Sequence, residues 1–223
     1  MGSGLLSLLR TDPLLFVLLS ASLLVAISLH EFGHALAADL QGDRLPRAMG
    51  RVSLNPTRHL DPVGTLFIFL VGFGWGKPVE FRANALSSQR FGAAIVALAG
   101  PAMNVLLAIA GALLFGLTAD SFTQQVASET GGLASGASEI ARFAFLFTSI
   151  NVLLAVFNLI PLPPLDGSRL LTIFLPPRRQ NVIFFLDRWG FLILIGLLLL
   201  GGFTLLEPIL EAVSRFVFSL GGI

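Results

Sequence analysis

The sequence contains no cysteine. That excludes disulfides and thiolate metal ligands, so any metal must be held by His, Asp, Glu or Asn. Charge is scarce as well: 12% of residues are Asp, Glu, Lys or Arg, against about 25% in a soluble globular domain. The net charge of +1 offers no basic face to nucleic acid. Repeats of the propeller or solenoid kind are absent. In place of charge, the 223 residues are 55% hydrophobic, with a mean hydropathy of +0.86. This is the composition of a polytopic membrane protein. Several spans of about 20 residues each use most of the length, so a single membrane domain over 1–223 is expected, with no space for a large extra module.

Four apolar stretches read as spans, at about 13–38, 91–117, 140–160 and 189–203. Two further segments, 61–76 and 205–223, could raise the count to six. Residues 61–76 open on Asp61-Pro62, a helix-start signal, but their apolar part is short and glycine-interrupted. They read as a re-entrant or partly embedded segment. The following Gly74-Trp75-Gly76-Lys77-Pro78-Val79-Glu80-Phe81 reads as a short hairpin or edge strand. Residues 41–60 read as extended segments and turns, 119–138 as a flexible loop, and 176–188 as a polar, basic connection. The expected fold is therefore all-α, with four to six spans and a small re-entrant or β-hairpin element. A catalytic core would occupy about 13–170, followed by C-terminal helices over 180–220. Trp75 and Trp189 fall near expected interfaces and read as anchors.

Basic residues cluster in three connections: Arg44, Arg47, Arg51 and Arg58; Lys77, Arg82 and Arg90; Arg169, Arg178, Arg179 and Arg188. Residues 119–138 have none. The positive-inside rule puts the basic connections in the cytoplasm. The cytoplasmic ends of the first and third spans then carry His30-Glu31-Phe32-Gly33-His34 and Leu165-Asp166-Gly167. Two polar motifs thereby reach similar depth in one leaflet.

Ionisable residues in a span are costly and point to function. On a helix, positions i and i+4 share a face, so His30 and His34 can bind one metal ion. Glu31, next to the first histidine, can take a proton from water at that metal, as in the HExxH arrangement of metalloproteases. A catalytic zinc needs a third protein ligand and an open position. Asp166 is the best-placed acidic residue, after the prolines at 161, 163 and 164 that break the third span. A dication would also offset the Asp166 and Glu31 charges. His59 sits in an Arg-rich connection and reads as a surface or capping residue.

HEFGH at 30–34, AGPAMN at 99–104 and NLIPLPPLDG at 158–167 together resemble the site-2 protease family of intramembrane zinc metalloproteases, peptidase family M50. NPTRHLDPVG at 55–64 and GWGKPVEF at 74–81 are similar to its compact bacterial and archaeal members. The resemblance implies one zinc per chain held by His30, His34 and Asp166, with Glu31 as catalytic base. It implies contacts from Asn104 and Asn158 to the substrate backbone or oxyanion; helix–helix hydrogen bonding is the alternative for both. The substrate would be a membrane-spanning helix, unwound against an edge near 71–82, where Gly72, Gly74 and Gly76 could permit close approach. Partners would be that substrate and the lipid bilayer, in a prokaryotic inner membrane, with the site toward the cytoplasm. No PDZ or CBS module is expected. Two other readings use the same residues: a metal transporter, and an inactive helix-binding adaptor.

Overall fold

A computed structural model of the chain describes residues 5–71, 74–130, 136–174 and 180–222. The expectations for Gly72, for part of the 119–138 connection, and for Arg178 and Arg179 lie outside the described residues. The helices in chain order are α1 (Leu8–Thr11), α2 (Pro13–Leu40), α3 (Leu45–Ala48), α4 (Pro62–Val71), α5 (Gln89–Thr118), α6 (Ser121–Thr130), α7 (Glu139–Asn158), α8 (Gly167–Phe174), α9 (Gln180–Leu199) and α10 (Phe203–Leu220).

Among the described residues, three helices are long and apolar enough to cross a membrane: Pro13–Leu40, Phe91–Thr118 within α5, and Glu139–Asn158. They match three of the four expected spans to within a few residues. The expected fourth falls in α9, which begins earlier than read because 180–188 is already helical. The count of four to six is thus not reached among the described residues.

The three long helices form the core. α2 starts with Pro13 at its first turn and Asp12 as cap, whose side chain accepts from the Leu15 N–H at 2.9 Å; proline there wastes no hydrogen bond. α7 is capped by Ser138, which accepts from the Ala141 N–H at 3.2 Å. Arg142 on α7 reaches Asp12 at 3.1 Å and ties the two N-terminal ends together, so α2 and α7 run parallel. α5 is antiparallel to both: Asn104 meets Ala26 and Asn151, while Thr148 reaches the Ala108 carbonyl. Small buried residues line the packing, among them Ala26, Ala35, Ala108, Ala112, Ala144 and Ala155. In lipid, where apolar transfer does not drive helices together, small residues let backbones approach. Gly33 shows this between α2 and α5: a Cβ there would lie 2.7 Å from the Ala99 carbonyl oxygen.

Several connections differ from the sequence expectation. Residues 121–130 are helical rather than a loop, because Asp120 caps the Thr123 N–H at 2.7 Å and Gln124 donates to the Gly116 and Ala119 carbonyls. Residues 41–60 include the single helical turn α3 and a 3₁₀ turn at Pro56–Arg58. At 74–81, where a hairpin or edge strand was expected, the chain forms no strand, only one isolated antiparallel bridge, Leu60 to Gly76. The pairing stops there because the partner segment turns: Pro56–Arg58 is a 3₁₀ turn, and the His59 N–H bonds to the Pro56 carbonyl instead of across to Lys77. α4 begins where Asp61-Pro62 indicated, with Asp61 accepting from the Gly64 N–H at 2.7 Å. At ten residues, about 15 Å long, it is too short to cross a hydrocarbon core of about 30 Å.

α2 and α7 bring their C-terminal ends to the same end of the bundle. After Asn158 the chain turns through 159–166 and enters α8, which packs on α5. Gly167 lies so close to the Leu159 and Ile160 carbonyls that a side chain would not fit. That contact folds the segment back onto α7 and sets the position of Asp166 just before it.

Candidate metal centre

His30 and His34 lie one turn apart on the buried face of α2, each only 7% exposed. Asp166 arrives from the segment after α7. Its Oδ2 lies 3.0 Å from His30 Nε2 and 3.2 Å from His34 Nε2, and the two Nε2 atoms are 3.0 Å apart. The rings meet edge to face at 87°.

The surrounding hydrogen bonds fix what those atoms offer. Asn151 donates its Nδ2 to the Phe147 carbonyl at 2.8 Å, so its Oδ1 accepts from Asn104 Nδ2, also at 2.8 Å. Asn104 Nδ2 also donates to the Ala26 carbonyl at 3.3 Å. That leaves Asn104 Oδ1 facing His30 Nδ1 at 2.5 Å, and an oxygen there can only accept. His34 Nδ1 faces another acceptor, the Val96 carbonyl, at 2.7 Å. Both Nδ1 atoms therefore carry the hydrogen, and in a neutral imidazole the Nε2 atoms are then bare lone pairs. Two bare nitrogens and a carboxylate oxygen converge with no proton between them. Asp166 Oδ2 accordingly has no hydrogen-bond donor although it is buried.

Such a cluster is repulsive by itself and is satisfied by a cation. Around a tetrahedral zinc with bonds of about 2.0–2.1 Å, ligand atoms lie about 3.3 Å apart, close to the separations here. The residues present fit a metal ion, one ligand atom from each of His30, His34 and Asp166. The two Nδ1 partners are the kind that orient metal-binding histidines.

α5 supplies much of this support. Val96, Gly100 and Asn104 are spaced four apart and share a face. At Gly100 a Cβ would run into His34 Nε2 and His30 Cε1, so the AGPAMN segment provides both the space and the orienting amide. Pro101 sits within α5; it removes one N–H and disturbs the ladder next to these contacts.

Glu31 is on the adjoining face of α2. Its Oε2 is buried without a hydrogen-bond partner and lies 3.7 Å from Arg51 Nη2. The backbone at Gly76 covers it: a Cβ there would be 3.1 Å from Glu31 Oε1.

The four residues expected to do the chemistry are thus close together. The two asparagines part company. Asn104 is fully buried, with its amide committed to the protein, which is the helix-bridging arrangement. Asn158 is half-buried and donates to the Leu154 carbonyl one turn back at 3.0 Å. His59 is a correction: it is fully buried rather than at the surface. It stays outside the metal cluster, with Nε2 donating to the Ser53 carbonyl at 2.6 Å. Burial holds it below its ordinary pKa, with nearby Arg51 adding to that and the Ser53 carbonyl opposing it. Sequence reasoning missed Asn151 and Arg51. A polar Asn within an apolar span was the available signal for Asn151; Arg51 was hidden among the arginines of a basic connection.

The model of peptidase family M50 matches residues 18–201. The chain belongs to peptidase family M50. Among similar proteins, YwhC of Bacillus subtilis is by its name a candidate zinc metalloprotease. It is 34% identical to this M50 chain over 193 residues, covering 86% of the chain and 84% of YwhC. Rip2 of Mycolicibacterium smegmatis, a candidate zinc metalloprotease by the same kind of name, is 35% identical over 211 residues, covering 92% of the chain and 71% of Rip2. Rip2 of Mycobacterium tuberculosis is 34% identical over 174 residues, 75% of the chain and 61% of that protein. No solved structure gives a significant match. With three helices of membrane-spanning length and hydropathy, this M50 peptidase is an integral membrane protein.

Proposed function

We propose that the chain is an intramembrane zinc metalloendopeptidase that hydrolyses peptide bonds within or beside transmembrane helices of other proteins. The observation that carries this reading is the meeting of two bare Nε2 atoms and Asp166 Oδ2, with the unpartnered Glu31 carboxylate beside them. Zinc, named in the relatives, suits this donor set. Bound there, it would polarise a carbonyl and lower the pKa of water to about 7.

The chain's own residues do the rest. His30 and His34 are held as neutral ligands by Asn104 and Val96. Glu31 takes a proton from the attacking water as its oxygen bonds to the scissile carbon. It then passes that proton to the leaving nitrogen as the C–N bond breaks. A free Oε2 lone pair is what this role requires. Asn158, with capacity beyond its bond to Leu154, is the candidate for holding substrate backbone. A substrate helix must release its i→i−4 hydrogen bonds before it can be cut, so Gly or Pro near the cleaved bond lowers the cost.

The finer architecture belongs to the same proposal. The chain forms one domain, with a catalytic core over about 13–170 and C-terminal helices over 180–220. α9 and α10 would bring the spans toward four to six, with α4 as the partly embedded segment. His30 lies ten residues before the end of α2, about 15 Å along the axis. The nearby connections carry Arg44, Arg47, Lys77 and Arg82, which supports a cytoplasmic-facing site in a prokaryotic membrane.

The test uses the chain in liposomes with a synthetic apolar peptide of about 20 residues, bearing a central Gly-Pro and fluorophores at both ends. Glu31→Gln is expected to lower cleavage by about 10²–10⁴-fold with zinc content unchanged. Undiminished cleavage by that variant would remove Glu31 as the base. A transporter would keep its metal flux in Glu31→Gln, and an adaptor would show no cleavage in the parent.

A further inference from the structure

Arg51 is one of the most deeply buried charged residues described, 2% exposed. Its Nη2 donates to the Lys77 carbonyl and is also the atom 3.7 Å from Glu31 Oε2. Its Nε and Nη1 have no partner. Lys77 is held from the other side, its N–H donating to the His59 carbonyl at 2.7 Å. Gly76 bridges to Leu60 and covers Glu31. One guanidinium thus touches the backbone segment over Glu31 and stands beside the Glu31 carboxylate.

A buried arginine is costly unless it is paired, and its structural contact to Lys77 needs only one of its five N–H donors. At 3.7 Å the pair attracts without a direct hydrogen bond. A bidentate grip would occupy the lone pairs that a base must keep free. A charge held just out of hydrogen-bond reach orients the carboxylate and leaves it available.

We propose that Arg51 is a positioning residue, which fixes Glu31 and the Gly76–Lys77 segment relative to each other. This rests on the role given to Glu31 above. Arg51 itself does not touch the reacting atoms.

The test compares Arg51→Met, Glu31→Gln and the double variant, reading cleavage of the same reporter peptide, zinc content and Tm. Arg51→Met is expected to lower kcat by about 10–100-fold, with KM within about twofold and about one zinc per chain retained. The Tm loss from Arg51→Met should be smaller by about 3 °C or more in the Glu31→Gln background, because there is no longer a carboxylate to leave unpaired. A kcat within about twofold of the parent overturns the proposal. So do equal Tm losses in both backgrounds, which would mean that Arg51 serves Lys77 alone. Should Arg51→Met fail to fold, folding restored in the double variant supports the proposal, and failure of both overturns it. Should Glu31→Gln remain active, the functional reading fails, and the Tm comparison still decides whether Arg51 and Glu31 are coupled.

Discussion

α5 and α9 are both long apolar helices, and they differ in what they bury. α5 packs against α2, α7, α8 and α10. It buries Asn104 completely, and its Val96 carbonyl holds His34. α9 buries Gly190 and Leu194 and exposes Phe184, Phe191, Leu192 and Leu199. Apolar character places a helix in a membrane without saying what the helix does there. Burial of polar atoms distinguishes the two, because each must find a partner inside protein. The bundle invests its hydrogen bonds where two imidazoles have to be oriented, and leaves α9 a face suited to lipid.

The largest break in that contrast is expected at Gly100. Gly100→Ala puts a methyl into both imidazoles. The variant should lose most of its zinc, and cleavage should fall about 10²-fold or more, as read by elemental analysis and the reporter peptide. Asn104→Ala comes next. It frees His30 Nδ1, leaves Asn151 Oδ1 without its donor and takes a second donor from the Ala26 carbonyl. Zinc affinity should drop about 10–100-fold in a competition titration with a chelator.

A smaller effect is expected at Asp43, outside the spanning helices. Burial would raise its pKa, but N–H donors from the Arg82 backbone, the Arg82 side chain and Leu45 outweigh it and hold the carboxyl below its ordinary 3.8. A depressed carboxyl contributes stability that is complete above the unfolded value and is lost as pH falls through the folded one. The parent Tm should therefore decline at acid pH below about 4. Asp43→Asn should lower the Tm at pH 7 and flatten that acid limb. The smallest effect is expected at Leu199, 82% exposed. Leu199→Ala should change stability by about 0.5 kcal/mol or less and leave cleavage within about twofold of the parent.

The same contrast marks how far the sequence could be read. The three core helices were legible from apolar length, and Asp12, Asp61 and Ser138 sit where capping residues begin helices. That His30 and His34 share one face was legible from helical spacing. Asp166 followed from charge bias, which put the end of the third span beside the end of the first. The hairpin or edge strand expected at 74–81 is reduced to one bridge, because its partner segment is taken up by the 3₁₀ turn at Pro56–Arg58, which nothing in 74–81 itself signals. The helix at 121–130 was hidden by its polar composition, and its Asp120 cap passed unnoticed. His59 was taken for a surface residue because its neighbours are charged. Arg51 was the hardest to find: its importance lies in contacts to Lys77 and Glu31, well separated along the chain, and no local pattern encodes them.

The central claim is that His30, His34 and Asp166 hold one zinc ion. The most direct measurement is elemental analysis of the detergent-purified chain and of Asp166→Ala, after zinc is supplied and excess removed. About one zinc per chain in the parent, with marked loss in the variant, is the expected result. A parent that binds no zinc, or a variant that retains it in full, would contradict the account.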